Sequence, residues 1–238
     1  ALAAAKIRTG MAECIIAGGA ESMSYIPMGG YKPIPETDTA KENPDYYWGM
    51  GLTAEAVANE FKVSREDQDQ FAYKSHQKAM KAIADGKFES QIVPVEVDYN
   101  FLDENEKLQT KKITFKQDEG PRVDTSIEGL ARLRPVFANG GSVTAGNSSQ
   151  MSDGAAFVMV MSEDMVKELG LEPVARLVSY ATVGLAPRIM GMGPLFAIPK
   201  ALEQAGLQLQ DIDLFELNEA FASQSVAIMR ELNLDPEK

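Results

Sequence analysis

Apolar residues recur at helical spacing in the first half of the chain. The positions i, i+3, i+4 and i+7, which form one face of a helix, are occupied by Ala54, Val57, Ala58 and Phe61. A second helix is predicted to start after Ser64, because Ser64 and Asp67 have the spacing of a capping box, with Asp in place of the preferred Glu or Gln. Its apolar face continues until Gly86, which is expected to end the helix.

Short apolar runs alternate with further helical segments along the rest of the chain. Strands are predicted at residues 13–19, 92–97, 155–161, 174–183 and 211–217. Helices are predicted at residues 1–8, 163–169, 199–205 and 218–232, and a glycine follows each of the first three within two residues. Segment 24–50 shows no period and is expected to be irregular, and segment 98–134 is polar and charged and is expected to be mostly loop.

This alternation predicts an α/β fold. The fully apolar strands indicate a sheet covered on both faces. The order of segments indicates two α/β pieces separated by a loop-rich insertion. Pro94 is expected to confine its strand to a sheet edge, because proline lacks a donor for the ladder.

Composition narrows the possible functions. The 238 residues carry a net charge of -12, which disfavours nucleic acid and anionic lipid as partners. No apolar run is long enough to cross a bilayer. One cysteine and one histidine exclude an intrachain disulfide and a His/Cys zinc site, so no metal is expected, and the cysteine count fits a reducing, cytoplasmic compartment.

Positive charge is concentrated between residues 107 and 134. Seven basic residues there face four acidic ones, a local net charge of +3. This stretch is either a solvated loop or a site for a small phosphorylated ligand, and composition leaves both interpretations open.

The single cysteine and histidine are poor candidates for catalysis. Cys14 lies within a predicted buried strand and is expected to be an inert core thiol. His76 lies on a predicted helix beside lysines and is expected to be half-exposed and structural. The segment 140–149 could let backbone approach a ligand, or could be a plain loop. Asn218 could serve catalysis, or could only cap a helix.

Six short motifs lie along the chain: AGGAESMS at 17–24, MGLTAE at 50–55, LRP at 133–135, VTAGNSS at 143–149, MGMGP at 190–194 and NEAFA at 218–222. They occur in the order found in the thiolases, the family of acetyl-CoA acetyltransferases and 3-ketoacyl-CoA thiolases. The chain resembles this family over essentially all of its length. The resemblance implies αβαβα layers in two similar halves, with an inserted coenzyme A-binding loop domain, here incomplete. Residues 1–23 and 150–172 would belong to the first half, 24–149 to the insertion and 173–238 to the second half.

The resemblance also implies roles for individual residues. Asn218 matches the asparagine that positions a catalytic water forming part of an oxyanion hole. Arg122 would help to hold the phosphates of coenzyme A. Contacts with the pantetheine arm or the acyl chain are implied for Ser149, Ala145, Met50, Met190 and Phe221.

The family's catalytic cysteines and its Gly-His-Pro histidine have no counterpart in these 238 residues. The resemblance therefore implies a central piece of a thiolase, with one cysteine expected just before Ala1 and the histidine beyond Lys238, and the chain alone is expected to be inactive. The parent enzyme would act in fatty acid metabolism as a homodimer or homotetramer, with coenzyme A as substrate and no covalently bound cofactor. The alternative is a non-catalytic coenzyme A-binding module. A dinucleotide-binding domain is disfavoured because the glycine spacing it requires is missing.

Overall fold

The structure, a computed structural model, describes residues 1–238 and is mixed α/β. The α-helices are α1 (Leu2–Arg8), α2 (Thr37–Glu42), α3 (Met50–Glu60), α4 (Arg65–Ala84), α5 (Ile127–Ala131), α6 (Glu163–Glu168), α7 (Gly193–Ala205) and α8 (Ala222–Leu232). Short 3-10 helices lie at Pro44–Tyr47, Pro187–Met192 and Leu209–Asp211. Each helix is too short or too polar to cross a membrane.

The strands form two separate antiparallel pairs. They are β1 (Cys14–Glu21), β2 (Val95–Leu102), β3 (Leu108–Phe115) and β4 (Gly154–Met161). Strand β1 pairs with β4, from Cys14 opposite Met161 to Glu21 opposite Gly154. Strands β2 and β3 are close in sequence and form a hairpin. Strands β1 and β4, in contrast, come from distant parts of the chain.

Local capping confirms two predicted helix boundaries, the start at Ser64 and the end at Gly206. Ser64 Oγ accepts a hydrogen bond from the Asp67 N–H, and the Asp67 carboxylate accepts one from the Ser64 N–H, both at 3.1 Å. Gly206 ends α7 in the left-handed conformation, with φ 68°, that an L-residue with a side chain adopts only at a cost. Helix α7 starts earlier than predicted, at Gly193, and contains Pro199 in its interior.

The expectation that residues 98–134 are mostly loop was wrong. The hairpin occupies much of this segment, and α5 follows it. Alternation of apolar and polar residues along β2 is typical of a strand, and the Asp103 carboxylate builds the turn by accepting hydrogen bonds from the N–H groups of Asn105 and Lys107. The hydrogen bond from the Lys107 N–H lowers the pKa of Asp103.

Two predicted strands and one helix start were also wrong. Segments 174–183 and 211–217 form no strand, because apolar alternation predicts a strand only where a backbone partner is present to complete the ladder. The last helix begins at Ala222 rather than at Asn218. Residues 218–221 run extended instead, because Phe221 forms a β-bridge with Ser148.

The β1–β4 pair is exposed on the structure, contrary to the expectation of a sheet covered on both faces. Ile16, Phe157, Val158 and Met159 are each more than 60% exposed. Cys14 is likewise exposed and is not the predicted core thiol. The accessible surface is 17552 Å², whereas a compact monomer of 25.9 kDa exposes about 10,500 Å².

The hydrophobic core lies where α3 and α4 meet α8 and the Pro187–Met192 helix. Its fully buried members come from segments far apart in the chain: Val57, Val63, Met192, Val226, Ala227 and Ile228. Ser223 strengthens this contact by donating a hydrogen bond from Oγ to the Ala54 carbonyl at 3.1 Å. The core and this hydrogen bond therefore hold α8 against α3.

An ion pair joins α4 to α8 at the edge of this core. The guanidinium of Arg230 lies 2.6 Å from the carboxylate of Asp67. This hydrogen bond lowers the pKa of Asp67 from its ordinary value of 3.8. A lowered folded-state pKa stabilises the protein above the unfolded-state pKa, and the contribution is lost as pH falls through the folded-state pKa.

We therefore expect Asp67→Asn to reduce the free energy of unfolding by about 0.5–1 kcal/mol at pH 7, since both partners are partly exposed. The difference from wild type should shrink as pH falls below about 4. Urea unfolding of the natural protein between pH 7 and pH 3 measures both effects. Arg230→Gln should cost a similar amount, and the double variant little more than either; strictly additive losses would contradict the pairing.

Candidate active site

The loop at residues 140–149, hereafter the clamp loop, is held at its start by a buried carboxylate from α3. Glu55 is 5% exposed. Its carboxylate oxygens accept hydrogen bonds from the backbone N–H groups of Ser142 and Val143 at 2.9 to 3.0 Å. They also accept one from Ser142 Oγ at 3.2 Å. The clamp loop is thereby tied to a helix far away in the sequence.

A second carboxylate, from α4, holds the middle of the clamp loop. Asp69 accepts a hydrogen bond from Asn147 Nδ2 at 3.0 Å, and its charge is paired with Arg65 at 2.7 Å. The Asn147 side chain also accepts from the Thr144 N–H at 2.7 Å and donates to the Ser142 carbonyl at 3.2 Å. Asn147 is 2% exposed, so its polar atoms are satisfied by protein groups.

The end of the clamp loop pairs with the segment that precedes α8. The Ser149 N–H donates to the Ala220 carbonyl, and the Ala222 N–H donates to the Asn147 carbonyl, both at 2.9 Å. This short antiparallel pairing brings Ser149 and Asn218 to one side of the molecule.

A cavity of about 250 Å³ opens beside this pairing. Its lining contains two of the predicted site residues, Ser149 and Asn218, together with His76 and Glu219. Most of the lining is polar or glycine, with α4 forming one wall. The cavity therefore offers hydroxyl, amide and imidazole groups to a ligand.

The backbone around Asn218 is fixed by α4 and α8. The Gln224 side chain donates to the Asn218 carbonyl at 3.3 Å, and Ser75 Oγ donates to the Glu219 carboxylate at 2.6 Å. Asn218 is therefore held through its main chain, and its side-chain amide forms no hydrogen bond with another protein group. An amide held in this way is free to bind a water or a ligand.

Arg122 lies next to the cavity rather than in its wall. Its backbone N–H donates to Nδ1 of His76 at 3.2 Å, and Gly120 and Pro121 of the same segment line the cavity. His76 is half-buried, as predicted, and accepts through Nδ1. The Arg122 side chain is 70% exposed, 3.6 Å from Asp124.

The other predicted site residues do not line this cavity. Met50 starts α3, and Met190 lies in the Pro187–Met192 helix, where it is about half exposed. Phe221 packs edge-on against Phe137, with ring centroids 6.0 Å apart. Ala145 is exposed on the clamp loop.

The residues that build the site were missed by pattern reasoning. Glu55, Asp69 and Gln224 are all buried polar residues on helices. A charged residue between Ala54 and Ala56 on an otherwise apolar helix was the available signal for Glu55, because a carboxylate is rarely buried without partners. No cluster of three or more His, Cys, Asp and Glu side chains in the structure could hold a metal ion.

Comparison with known families matches two models. Residues 1–164 match the thiolase N-terminal domain and residues 171–238 match the thiolase C-terminal domain. The chain belongs to the thiolase family.

Individual thiolases are similar to the whole chain. The 3-ketoacyl-CoA thiolase of Bacillus subtilis is 54% identical over 238 residues, which is 100% of this chain and 61% of that protein. The peroxisomal 3-ketoacyl-CoA thiolase of Homo sapiens is 47% identical over 233 residues, 98% of this chain and 54% of that protein. This chain thus spans little more than half the length of these relatives.

Solved thiolase structures confirm the predicted α/β fold. The acetyl-CoA acetyltransferase of Bacillus anthracis superposes with a TM-score of 0.81 at 42% identity, covering 100% of this chain and 61% of that one. The dimeric peroxisomal thiolase of Saccharomyces cerevisiae superposes with a TM-score of 0.83 at 39% identity, covering 99% of this chain and 58% of that one.

The close approach of Glu55 to the clamp loop predicts the effect of adding one methyl group. A Cβ at Gly141 would overlap the Glu55 carboxylate, which is buried and cannot move without breaking its hydrogen bonds. Gly141→Ala should therefore destabilise the natural protein by about 1–3 kcal/mol.

Gly193→Ala is the matched control. Gly193 has ordinary helical angles in α7, and a Cβ there meets nothing within 4 Å, so the substitution should be neutral or slightly stabilising. Thermal or urea unfolding measures both variants. Equal stability of the two variants would contradict the tight contact.

Proposed function

We propose that this chain forms part of a thiolase that interconverts a 3-ketoacyl-CoA and coenzyme A with an acyl-CoA and acetyl-CoA. The observation that carries the proposal is the meeting of Ser149 and Asn218 in one polar cavity. The names of the relatives, 3-ketoacyl-CoA thiolase and acetyl-CoA acyltransferase, support the same class of reaction.

The proposed reaction proceeds through an acyl-cysteine. A cysteine thiolate attacks the C3 carbonyl of the substrate, the C2–C3 bond breaks, and the acetyl-CoA enolate released takes a proton. The coenzyme A thiol then gives up its proton to a base, and its sulfur takes the acyl group from the cysteine. A water held by Asn218 would donate to the oxyanion that forms at a substrate carbonyl in these steps.

Neither Cys14 nor His76 is placed for the nucleophile or base in this scheme. Cys14 lies on β1 and does not line the cavity. His76 lines it, but its Nδ1 already accepts the Arg122 N–H. The proposal therefore assigns both roles to residues outside these 238, and the 238-residue chain alone is expected to be inactive.

We further propose that residues 24–149 form the coenzyme A-binding insertion. Residues 1–23 and 150–172 would belong to one thiolase half and residues 173–238 to the other. Arg122 would approach the phosphates of coenzyme A. The pantetheine arm and the acyl chain would contact Ser149, Ala145, Met50, Met190 and Phe221.

A homodimer or homotetramer is proposed for the natural protein. The Saccharomyces cerevisiae relative is described as dimeric. The role in fatty acid metabolism and the cytoplasmic location stay predictions.

The alternative is a non-catalytic coenzyme A-binding module, which the absence of cysteine from the cavity wall favours. Calorimetry with coenzyme A and a thiolysis assay on the natural protein separate the two functions. Binding together with turnover supports the thiolase. Binding without turnover supports the module.

Substitution of Asn218 tests the proposed oxyanion role. Asn218→Ala should lower kcat of thiolysis by about 100- to 1000-fold, because one fixed donor to the developing negative charge is lost. The dissociation constant of coenzyme A should change little. Gln204→Ala, at an exposed amide on α7, is the control and should leave kcat unchanged. An unaltered kcat in Asn218→Ala would contradict the role.

Substitution of Arg122 tests the proposed phosphate contact. Arg122→Gln should weaken binding of coenzyme A about 10-fold but leave binding of pantetheine, which carries no phosphate, unchanged. Arg132→Gln, in the same basic stretch, should affect neither ligand. Calorimetry measures all four cases. Equal weakening of both ligands by Arg122→Gln would show that Arg122 acts on the fold and not on phosphate.

A further inference from the structure

Glu55 is a buried carboxylate held without a cation. Its hydrogen bonds come from two backbone N–H groups and one hydroxyl, all in Ser142 and Val143, and no Lys or Arg lies among these donors. Asp69, the other carboxylate of the clamp, has Arg65 at 2.7 Å. The Glu55 carboxylate is thus bound by neutral donors alone.

Such an arrangement is costly unless the donors are fixed. Removing a carboxylate from water is strongly unfavourable, and only well-aligned hydrogen bonds offset that cost. The same alignment restricts the donors in turn. Because both oxygens of Glu55 are engaged, the backbone at residues 142–143 has a single position relative to α3.

A series of hydrogen bonds connects residues 142–143 to the cavity. Ser142 O and Thr144 N bind the Asn147 side chain, and the Asn147 carbonyl binds the Ala222 N–H. The Ser149 N–H then binds the Ala220 carbonyl, two residues from Asn218. A shift at the start of the clamp loop therefore moves both predicted site residues.

We propose that Glu55 is a positioning residue for the coenzyme A site, setting the clamp loop so that Ser149 and Asn218 face the same cavity. This inference rests on the proposed function. Glu55 does not line the cavity; it acts through the backbone of residues 142–149.

The test is Glu55→Gln in the natural protein. Glutamine has the same shape and one accepting oxygen, but its NH₂ group faces a backbone N–H at the other position. We expect the KM for coenzyme A to rise about 10-fold and kcat/KM to fall 10- to 100-fold, because small displacements of a site are costly. Hydrogen exchange of the peptide 142–149 should become at least 10-fold faster.

Val57→Ala is the matched control. Val57 lies two residues along the same helix, is fully buried in the hydrophobic core and makes no contact with the clamp loop through hydrogen bonds. It should lower the melting temperature at least as much as Glu55→Gln while leaving the KM for coenzyme A unchanged. If Glu55→Gln does not fold, Ser142→Ala replaces it. This variant removes the hydroxyl's bond to Glu55, and the bond that the hydroxyl accepts from Gln68, but keeps both N–H donors, and should raise the KM about 3-fold.

The outcomes separate the two claims. A raised KM with faster loop exchange, absent in Val57→Ala, supports the positioning role. An unchanged KM, or a rise of equal size in Val57→Ala, overturns it. If the wild-type protein neither binds coenzyme A nor uses it to cleave a 3-ketoacyl-CoA, the proposed function is overturned. The role of Glu55 in the coenzyme A site is then overturned with it. In that case, unchanged hydrogen exchange of residues 142–149 in Glu55→Gln would also contradict the claim that Glu55 holds the clamp loop.

Discussion

The site depends on the attachment of one loop to two helices through buried carboxylates. Glu55 and Asp69 hold residues 140–149 from α3 and α4. Without them the clamp loop, rich in glycine and small polar residues, would have many conformations of similar energy. The carboxylates favour one of these, in which residues 146–150 line the cavity.

The hydrophobic core and the hydrogen bonds of the clamp loop contribute to the site in different ways. Apolar contacts of Val57 and Ile228 bring α3 and α8 together but specify little about the loops at their ends. Hydrogen bonds are directional, so the pairing of Ser149 with Ala220 decides which side chains face the cavity. In a thiolase, such directional hydrogen bonds would allow segments without regular secondary structure to form the coenzyme A site.

Local signals predicted helices well and distant contacts poorly. The boundaries at Ser64 and Gly206 follow from capping chemistry within a few residues. The strand predicted at 174–183 is not formed, because an apolar pattern carries no information about the presence of a partner strand. Motif resemblance predicted Ser149 and Asn218 as site residues, and in the structure both line one cavity. The clamp that joins them was not predictable, since Glu55 and Ser142 lie 87 positions apart.

Hydrogen–deuterium exchange of the natural protein with and without coenzyme A tests the central claim most directly. If residues 142–149 and 218–222 belong to one coenzyme A cavity, the ligand should slow exchange in both peptides together and at the same ligand concentration. The 120–124 segment beside His76 should be protected with them. Protection of only one of the two peptides, or protection confined to the β1–β4 pair, would contradict the account.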